Sequence, residues 1–351
     1  MRKKRMIYRK LFVRLVIAIL LLIFIFFLLK IEKEKIQVKK VTRQEAYKRA
    51  MEIINFVWEY QPKVFNRDDI KLPNFLGNER KIVVGIPYCW GGYISVDISD
   101  RIDVKNFKDA IEKDYVPGNV LTEGGYKAKT AGLDCSGFVG AVYNLPEKVS
   151  TKTLKRYFKY ISIKKIKPMD IFNAEGEHTF IYLKESYDKE GIITLEARHS
   201  NSLKSKDKTV VSYRTYEEIK KGQNGKKFYP MRYKGIVEDD IKVNMDSYEY
   251  NNTLDKAYKI KKNMLFSGSI DYIEDIDIFK IDVEYKQKIM LKVFQLPKDI
   301  KLTIKNADER ELKVIERQGF YLLELDKGTY YLQFKNNSLK TLEENYIFEI
   351  S

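Results

Sequence analysis

The chain has 351 residues, a formal net charge of +16, 44% hydrophobic residues and 13% aromatics, which is too much apolar material for a disordered or low-complexity protein. A length of this order predicts two domains plus extra segments. Two cysteines and two histidines exclude a disulfide scaffold and a thiolate zinc cluster, and leave very few candidates for chemistry that needs a thiol or an imidazole.

Residues 1–10 form a basic tail, with Arg2, Lys3, Lys4, Arg5, Arg9 and Lys10 and no acidic residue. Residues 11–29 are almost wholly Leu, Ile, Val and Phe, with Arg14 the only charge. At 1.5 Å per residue this run spans roughly 28 Å, close to the ~30 Å hydrocarbon thickness. It lacks both the polar stripe of a core helix and the small-residue cleavage site of a signal peptide. The pattern predicts one transmembrane anchor with a cytoplasmic N-terminus, hence a single-pass cell-membrane protein whose remainder is extracytoplasmic. Residues 30–41 mix both charges and read as a juxtamembrane linker.

Residues 42–60 read as a helix, with Ala46, Ala50, Ile53, Ile54 and Val57 on one stripe and Pro62 beyond its end. From Asp69 to about Gly235 the pattern is mixed α/β, with strand-like runs at Thr179–Leu183 and Ile192–Ala197 and turns at Gly91-Gly92, Gly124-Gly125 and Gly222–Gly225, so that 42–235 reads as one domain. Residues 236–248 are polar and acidic and read as a second linker. Over 249–351, short alternating runs at Phe279–Val283, Ile289–Phe294, Leu302–Ile304, Phe320–Leu325, Tyr330–Phe334 and Tyr346–Ile350 predict an all-β sandwich.

The segment Gly132-Leu133-Asp134-Cys135-Ser136-Gly137-Phe138-Val139-Gly140-Ala141-Val142-Tyr143 carries the chemistry. Cys135, Phe138, Val139, Val142 and Tyr143 share a helix face, Gly132 supplies a turn and Asp134 an N-cap. Gly137 and Ala141 would let this helix approach a sheet closely. The position puts Cys135 in a first helical turn, where free N–H groups and the dipole favour thiolate; a small packing hydrophobe is the bland alternative. A nucleophilic thiol needs a base, and His178 opens a strand, while His199 lies past the end of the next one and reads as a rim residue. Glu196 is placed to accept the His178 Nδ1–H and fix its tautomer, and its charge would favour a thiolate–imidazolium pair.

Together with Pro87-Tyr88-Cys89-Trp90-Gly91-Gly92 and Lys167-Pro168-Met169-Asp170-Ile171-Phe172, these residues resemble, from about Ile82 to Ala197, the NlpC-type cell-wall cysteine peptidases, which are papain-like α+β enzymes that cut peptidoglycan stem peptides. The resemblance implies Cys135 as nucleophile, His178 as general base and Glu196 as the residue orienting it, with substrate contacts from Tyr88, Trp90, Asp134 and Ser136, Asp134 pairing with a free substrate amine. Three features depart from the family pattern. Met169 replaces a usual Gly, the insert Tyr93–Ala131 is long enough to shape a substrate wall or a lid, and Glu196 stands where His is commoner. Cys89 has no role in the pattern and reads as packing; a disulfide to Cys135 would silence the enzyme. A thiol amidase or acyltransferase on the same fold, and a catalytically silent wall-binding protein, are the competing readings.

The last hundred residues, through Glu249–Ala257, Gly268-Ser269-Ile270, Asp275–Val283 and Gly328–Tyr331, resemble the pre-peptidase C-terminal domains of secreted bacterial enzymes. That resemblance implies a small sandwich that binds matrix or wall polymer and in some relatives holds calcium. Glu249, Asn251, Asp275 and Asp277 are hard oxygen ligands of the right type, although solvated turn residues are the commoner reading of such a set. No cofactor is required by the proposed chemistry. The basic residues are spread along the chain rather than gathered on one motif, which argues against nucleic acid and for anionic wall polymers or lipid head groups as counter-charge, a solvated lysine-rich surface without a specific partner being the alternative.

Overall fold

The computed structural model of the protein describes residues 14–23, 38–63, 65, 67–200, 206–317 and 319–351. The chain divides into two units, Met1–Lys39 and Lys40–Ser351. In the first, residues 14–23 are helical, with exposed apolar side chains. Among the described residues no helix is long and apolar enough to cross a membrane. This corrects the transmembrane anchor expected over 11–29 and the single-pass cell-membrane localisation drawn from it; residues 11–13 and 24–29 of that run lie outside the described residues. The expected fold class is corrected as well. Instead of a papain-like α+β domain and a β-sandwich behind a spanning helix, the described chain is mostly β-strand with few, short helices.

Helix α1 (Arg43–Ile54) starts at a capping box in which the Thr42 hydroxyl accepts from Glu45 N–H and the Glu45 carboxylate accepts from Thr42 N–H. The helix expected to run to Tyr60 stops at Ile54. Residues Val57–Tyr60 instead form a strand antiparallel to Lys81–Val84, because Trp58 and Tyr60 bury at a period of two. The 236–248 segment is tied down at its start, since the Asp239 carboxylate accepts from the N–H groups of Arg43 and Gln44. Helix α2 (Phe107–Glu112) belongs to the insert and is capped by Asn106. Helix α3 (Cys135–Val142) is wholly buried.

The α3 helix packs on a six-stranded antiparallel sheet made of β1 (Phe158–Tyr160), β2 (Ile171–Ala174), β3 (His178–Glu185), β4 (Gly191–Ala197), β5 (Thr209–Thr215) and β6 (Tyr229–Tyr233), in the order β5-β4-β3-β2-β6-β1. Both strand-like runs expected here fall inside β3 and β4. The register pairs Ala174 with His178, Ile181 with Leu195 and Glu196 with Val210. Phe172, Ala174, Phe180, Ile192 and Phe228 form a core cluster along this sheet, and the short helix α4 (Tyr216–Lys221) follows β5.

The C-terminal part comprises β7 (Tyr258–Lys259), β8 (Met264–Gly268), β9 (Ile276–Val283), β10 (Gln287–Gln295), β11 (Ile300–Asn306), β12 (Ile315–Arg317), β13 (Phe320–Leu325), β14 (Gly328–Asn336) and β15 (Tyr346–Ile350). They form two sheets, β7-β9-β14-β11 and β8-β15-β10-β13-β12, which enclose one core containing Phe266, Phe279, Leu332, Phe334 and Phe348. All six expected strand runs lie within these elements. The sandwich joins the first sheet through the β3–β4 hairpin: Tyr187 N–H donates to Glu249 O at 2.7 Å, and Lys256 Nζ reaches Asp188 at 2.9 Å and Glu190 at 3.2 Å.

Candidate active site

The two glycine-bearing motifs of the sequence meet at the start of α3. Leu133 N–H donates to Pro87 O at 3.2 Å and Cys89 N–H to Leu133 O at 3.1 Å. Gly132 sits at φ 144°, and a Cβ there would lie 2.3 Å from Pro87 O. A Cβ on Gly137 would lie 2.2 Å from Gly92 O. The close approach expected for Gly137 is therefore to the Gly92 backbone rather than to a sheet.

Asp134 is the N-cap of α3, its Oδ1 accepting from Gly137 N–H at 2.5 Å, from Ser136 Oγ at 2.9 Å and from Lys148 Nζ at 2.5 Å. All three contacts fall on Oδ1, and the side chain keeps 11% exposure. The Ser136 hydroxyl also reaches Val149 O at 2.9 Å, so it supports Asp134 from inside instead of facing substrate as expected. With Gly137 N–H taken by Asp134 Oδ1 and Phe138 N–H by Asp134 O, and Ser136 N–H turned to the sulfur, the N–H of Cys135 is left without a partner among the described residues.

Cys135 and Cys89 are both buried free thiols. Cys89 donates to Thr130 Oγ1 at 3.2 Å, which fits its reading as packing. Around Cys135 Sγ lie the backbone N–H groups of Thr179 and Ser136, and Asp134 and Lys148 act on it electrostatically. The Thr179 contact sets the sulfur against the first residues of β3, beside His178. Burial above all, then Asp134, pushes the thiol up to about 12, against the pull of Lys148 and the two N–H groups.

His178 is buried, and its Nε2 lies 2.7 Å from Glu196 Oε2. The nitrogen engaged is Nε2 and not the expected Nδ1, which leaves Nδ1 as the ring's remaining polar atom. Burial lowers the His178 pKa below the ordinary value despite the hydrogen bond and charge of Glu196. Glu196 has no solvent exposure. Burial alone would raise its pKa, but Arg214 and His178 hold it well below the usual range. Arg214 Nη2 donates to Oε2 at 2.6 Å and Nε to Oε1 at 3.3 Å, with Thr194 Oγ1 at 3.2 Å from Oε1. Burial works against the expected thiolate–imidazolium pair from both sides, raising the thiol and lowering the imidazole, while Arg214 takes up the charge of Glu196. Among the described residues no side-chain hydrogen bond joins Cys135 to His178.

Tyr88 is buried and lies in the electrostatic field of Cys135; its ring is 5.5 Å from that of His199. Read as a rim residue, His199 is in fact half-buried, with Nδ1 at 3.1 Å from Asp207 Oδ1. Trp90 is half-buried, its backbone N–H donating to Asn119 O at 2.8 Å. Lys148 and Arg214 were invisible to motif reading, since each reaches its carboxylate across elements and neither belongs to a motif.

A second constellation lies at the start of the sandwich. Glu249, Asp275 and Asp277 each offer a carboxylate oxygen within 4.8 Å of the others. They and Asn251 are at most 1% exposed, so they are not solvated turn residues. Both Glu249 oxygens, both polar atoms of Asn251 and Asp277 Oδ1 are buried without a hydrogen-bond partner. Orphaned hard oxygens, with neither thiolate nor imidazole among them, fit a calcium-like cation.

No protein-family model and no curated protein matches the chain. Among solved structures it is similar to the pre-peptidase C-terminal domain of collagenase from Bacillus anthracis, at 15% identity and TM-score 0.23, over 27% of this chain and 94% of that one. It is also similar to PliG, a periplasmic inhibitor of g-type lysozyme. The Aeromonas hydrophila protein matches at 11% identity and TM-score 0.24, over 27% of this chain and 94% of that one. The Salmonella Typhimurium protein matches at 17% identity and TM-score 0.22, over 27% and 96%. A pre-peptidase C-terminal domain is therefore a structural neighbour of part of the chain; none of the three is an NlpC-type peptidase.

Proposed function

We propose that the protein is a cysteine peptidase of the NlpC type, cleaving amide bonds in peptidoglycan stem peptides. The observation that supports this reading is the arrangement of Cys135 Sγ at a capped helix start, against the strand whose first residue, His178, is held by Glu196 at 2.7 Å. In this reading the thiol proton passes to His178 Nδ1 as the sulfur attacks the amide carbonyl carbon. The unpartnered Cys135 N–H receives the oxyanion. His178 then protonates the leaving amine, the C–N bond breaks and a thioester remains. Water, giving its proton to His178, hydrolyses the thioester to a carboxylate and restores the thiol. Nε2 stays on Glu196 throughout, so only Nδ1 exchanges protons. Asp134 Oδ2, free of the contacts on Oδ1, is the acceptor for a substrate amine, with Tyr88 in the electrostatic field of Asp134.

The test incubates the full chain and Cys135→Ala with purified muropeptides and reads products by mass spectrometry. The wild-type chain should release peptide fragments, and the variant none. Equal turnover by both, or intact muropeptides with wild type, refutes the reading; products carrying a transferred acyl group identify the acyltransferase alternative.

We also infer that Glu249, Asn251, Asp275 and Asp277 hold a hard divalent cation, supported by the orphaned buried oxygens of Glu249, Asn251 and Asp277 and by the three carboxylates lying within 4.8 Å of one another. A bound cation would supply there the positive charge that three buried carboxylates require.

A further inference from the structure

Glu196 is an awkward orienting residue. A fully buried carboxylate facing an imidazole at 2.7 Å would ordinarily hold the ring as imidazolium, and an imidazolium cannot accept the proton of a thiol. We propose that Arg214 is a positioning residue of the site, a fixed counter-cation that takes up the Glu196 charge so that the carboxylate orients His178 without charging it. The proposal rests on the peptidase reading of Cys135 and His178.

The geometry accounts for every lone pair direction on the carboxylate. Oε2 is shared by His178 Nε2 and Arg214 Nη2, and Oε1 by Arg214 Nε and Thr194 Oγ1. A guanidinium alone among side chains offers this planar fork and keeps its charge at any working pH. Its plane is fixed from the other side, with Cζ 4.6 Å from the Phe180 ring centroid and 5.9 Å from that of Phe228. Phe180 itself lies two residues along β3 from His178, 6.1 Å away ring to ring, so imidazole and guanidinium are registered by the same side chain. The charged or titratable groups facing His178 are Glu196 from β4, Arg198 just past its end, Arg214 from β5, and Cys135 at the α3 start with Asp134 and Lys148 beside it. Arg198 is exposed and turned to Ser212 Oγ at 2.9 Å, leaving Arg214 as the cation in contact with the carboxylate.

The chain holds two histidines, so ring NMR can follow His178 without turnover, in a Cys135→Ala background with His199→Gln to assign the signals. Removing the cation (Arg214→Met) should raise the His178 midpoint by about one pH unit or more, whereas removing the carboxylate (Glu196→Gln) should lower it by a similar amount, since Arg214 is then left uncompensated. In the Cys135-bearing enzyme, the acid limb of the pH–rate profile should rise with Arg214→Met by the same interval. Should Arg214→Met not fold, Arg214→Gln, which keeps an N–H donor toward Glu196 and removes the charge, decides in its place and should raise the midpoint likewise. A His178 midpoint unmoved in the folded variants reduces Arg214 to a structural role and overturns the proposal. Because the titration needs no catalysis, that outcome is distinct from failure of the peptidase reading, which the muropeptide digest reports.

Discussion

The cation site makes the most exacting prediction. Without a cation, only protonation can relieve three carboxylates whose oxygens lie within 4.8 Å of one another. The acid pKa values accordingly rise: Asp275 to about 7, and its neighbour Asp271 to about 8, burial being the first cause in each. Glu249 and Asp277 rise well above the ordinary range through burial and then repulsion from Asp275. A folded-state pKa above the unfolded one means stability that is fully present below about pH 4 and lost as pH rises through about 7 to 8. For Asp275 alone the loss is roughly 4 kcal/mol, three pKa units at ~1.4 kcal/mol each. A cation replaces the missing protons, and at a hundredfold excess over its Kd it returns about 2.7 kcal/mol. At roughly 2 to 4 °C per kcal/mol, calcium should raise the Tm of the chelator-treated full chain by about 5 to 10 °C at about pH 8, with little effect at about pH 5. Glu249→Gln, which removes one charge whose oxygens have no other partner, should raise the Tm of the stripped protein at about pH 8 and abolish the calcium response. Differential scanning fluorimetry reads all three quantities. A wild-type Tm indifferent to millimolar calcium, or an undiminished response in Glu249→Gln, refutes the assignment.

The active site makes further predictions. Cys135→Ala should abolish muropeptide cleavage while leaving Tm within about 2 °C of wild type, since the change removes one sulfur from a site fixed by Asp134 and Gly137. Because His178 must be neutral to take the thiol proton and its pKa is lowered by burial, kcat/KM should fall only as pH drops below the ordinary histidine value near 6.5, and a limb above that value contradicts the charge balance described. Gly137→Ala would drive a Cβ to 2.2 Å from Gly92 O, a backbone atom with nowhere to go. It should cost about 1 to 3 kcal/mol in denaturant unfolding and depress turnover by moving Cys135; wild-type stability would show that the two segments can separate freely.

How much of this was legible depends on range. The α3 start was readable because its cap, its glycine turn and its apolar spacing are all local, and the alternating strands of the sandwich were readable for the same reason. Val57 fits both the helical stripe of α1 and the start of a strand, and only pairing with Val84 decides between them. The run over 11–29 was judged on composition, and of it the structure describes residues 14–23 alone.

Charge compensation was the least legible feature, and it divides the two sites. Glu196 could be seen to carry a charge; that Arg214 lies 2.6 Å from it depends on strand register and could not. Residue type likewise marked Glu249, Asp275 and Asp277 as oxygen ligands without showing that they are buried. Both sites bury carboxylate, which is untenable without an opposite charge or a proton. At Glu196 the chain supplies the charge itself, so that carboxylate favours folding at neutral pH and loses its contribution as acid protonates it. At Glu249 neither oxygen has a hydrogen-bond partner among the described residues, and the dependence runs the other way. Opposite pH responses from two buried glutamates of one chain are what a built-in cation at one site and a borrowed one at the other require.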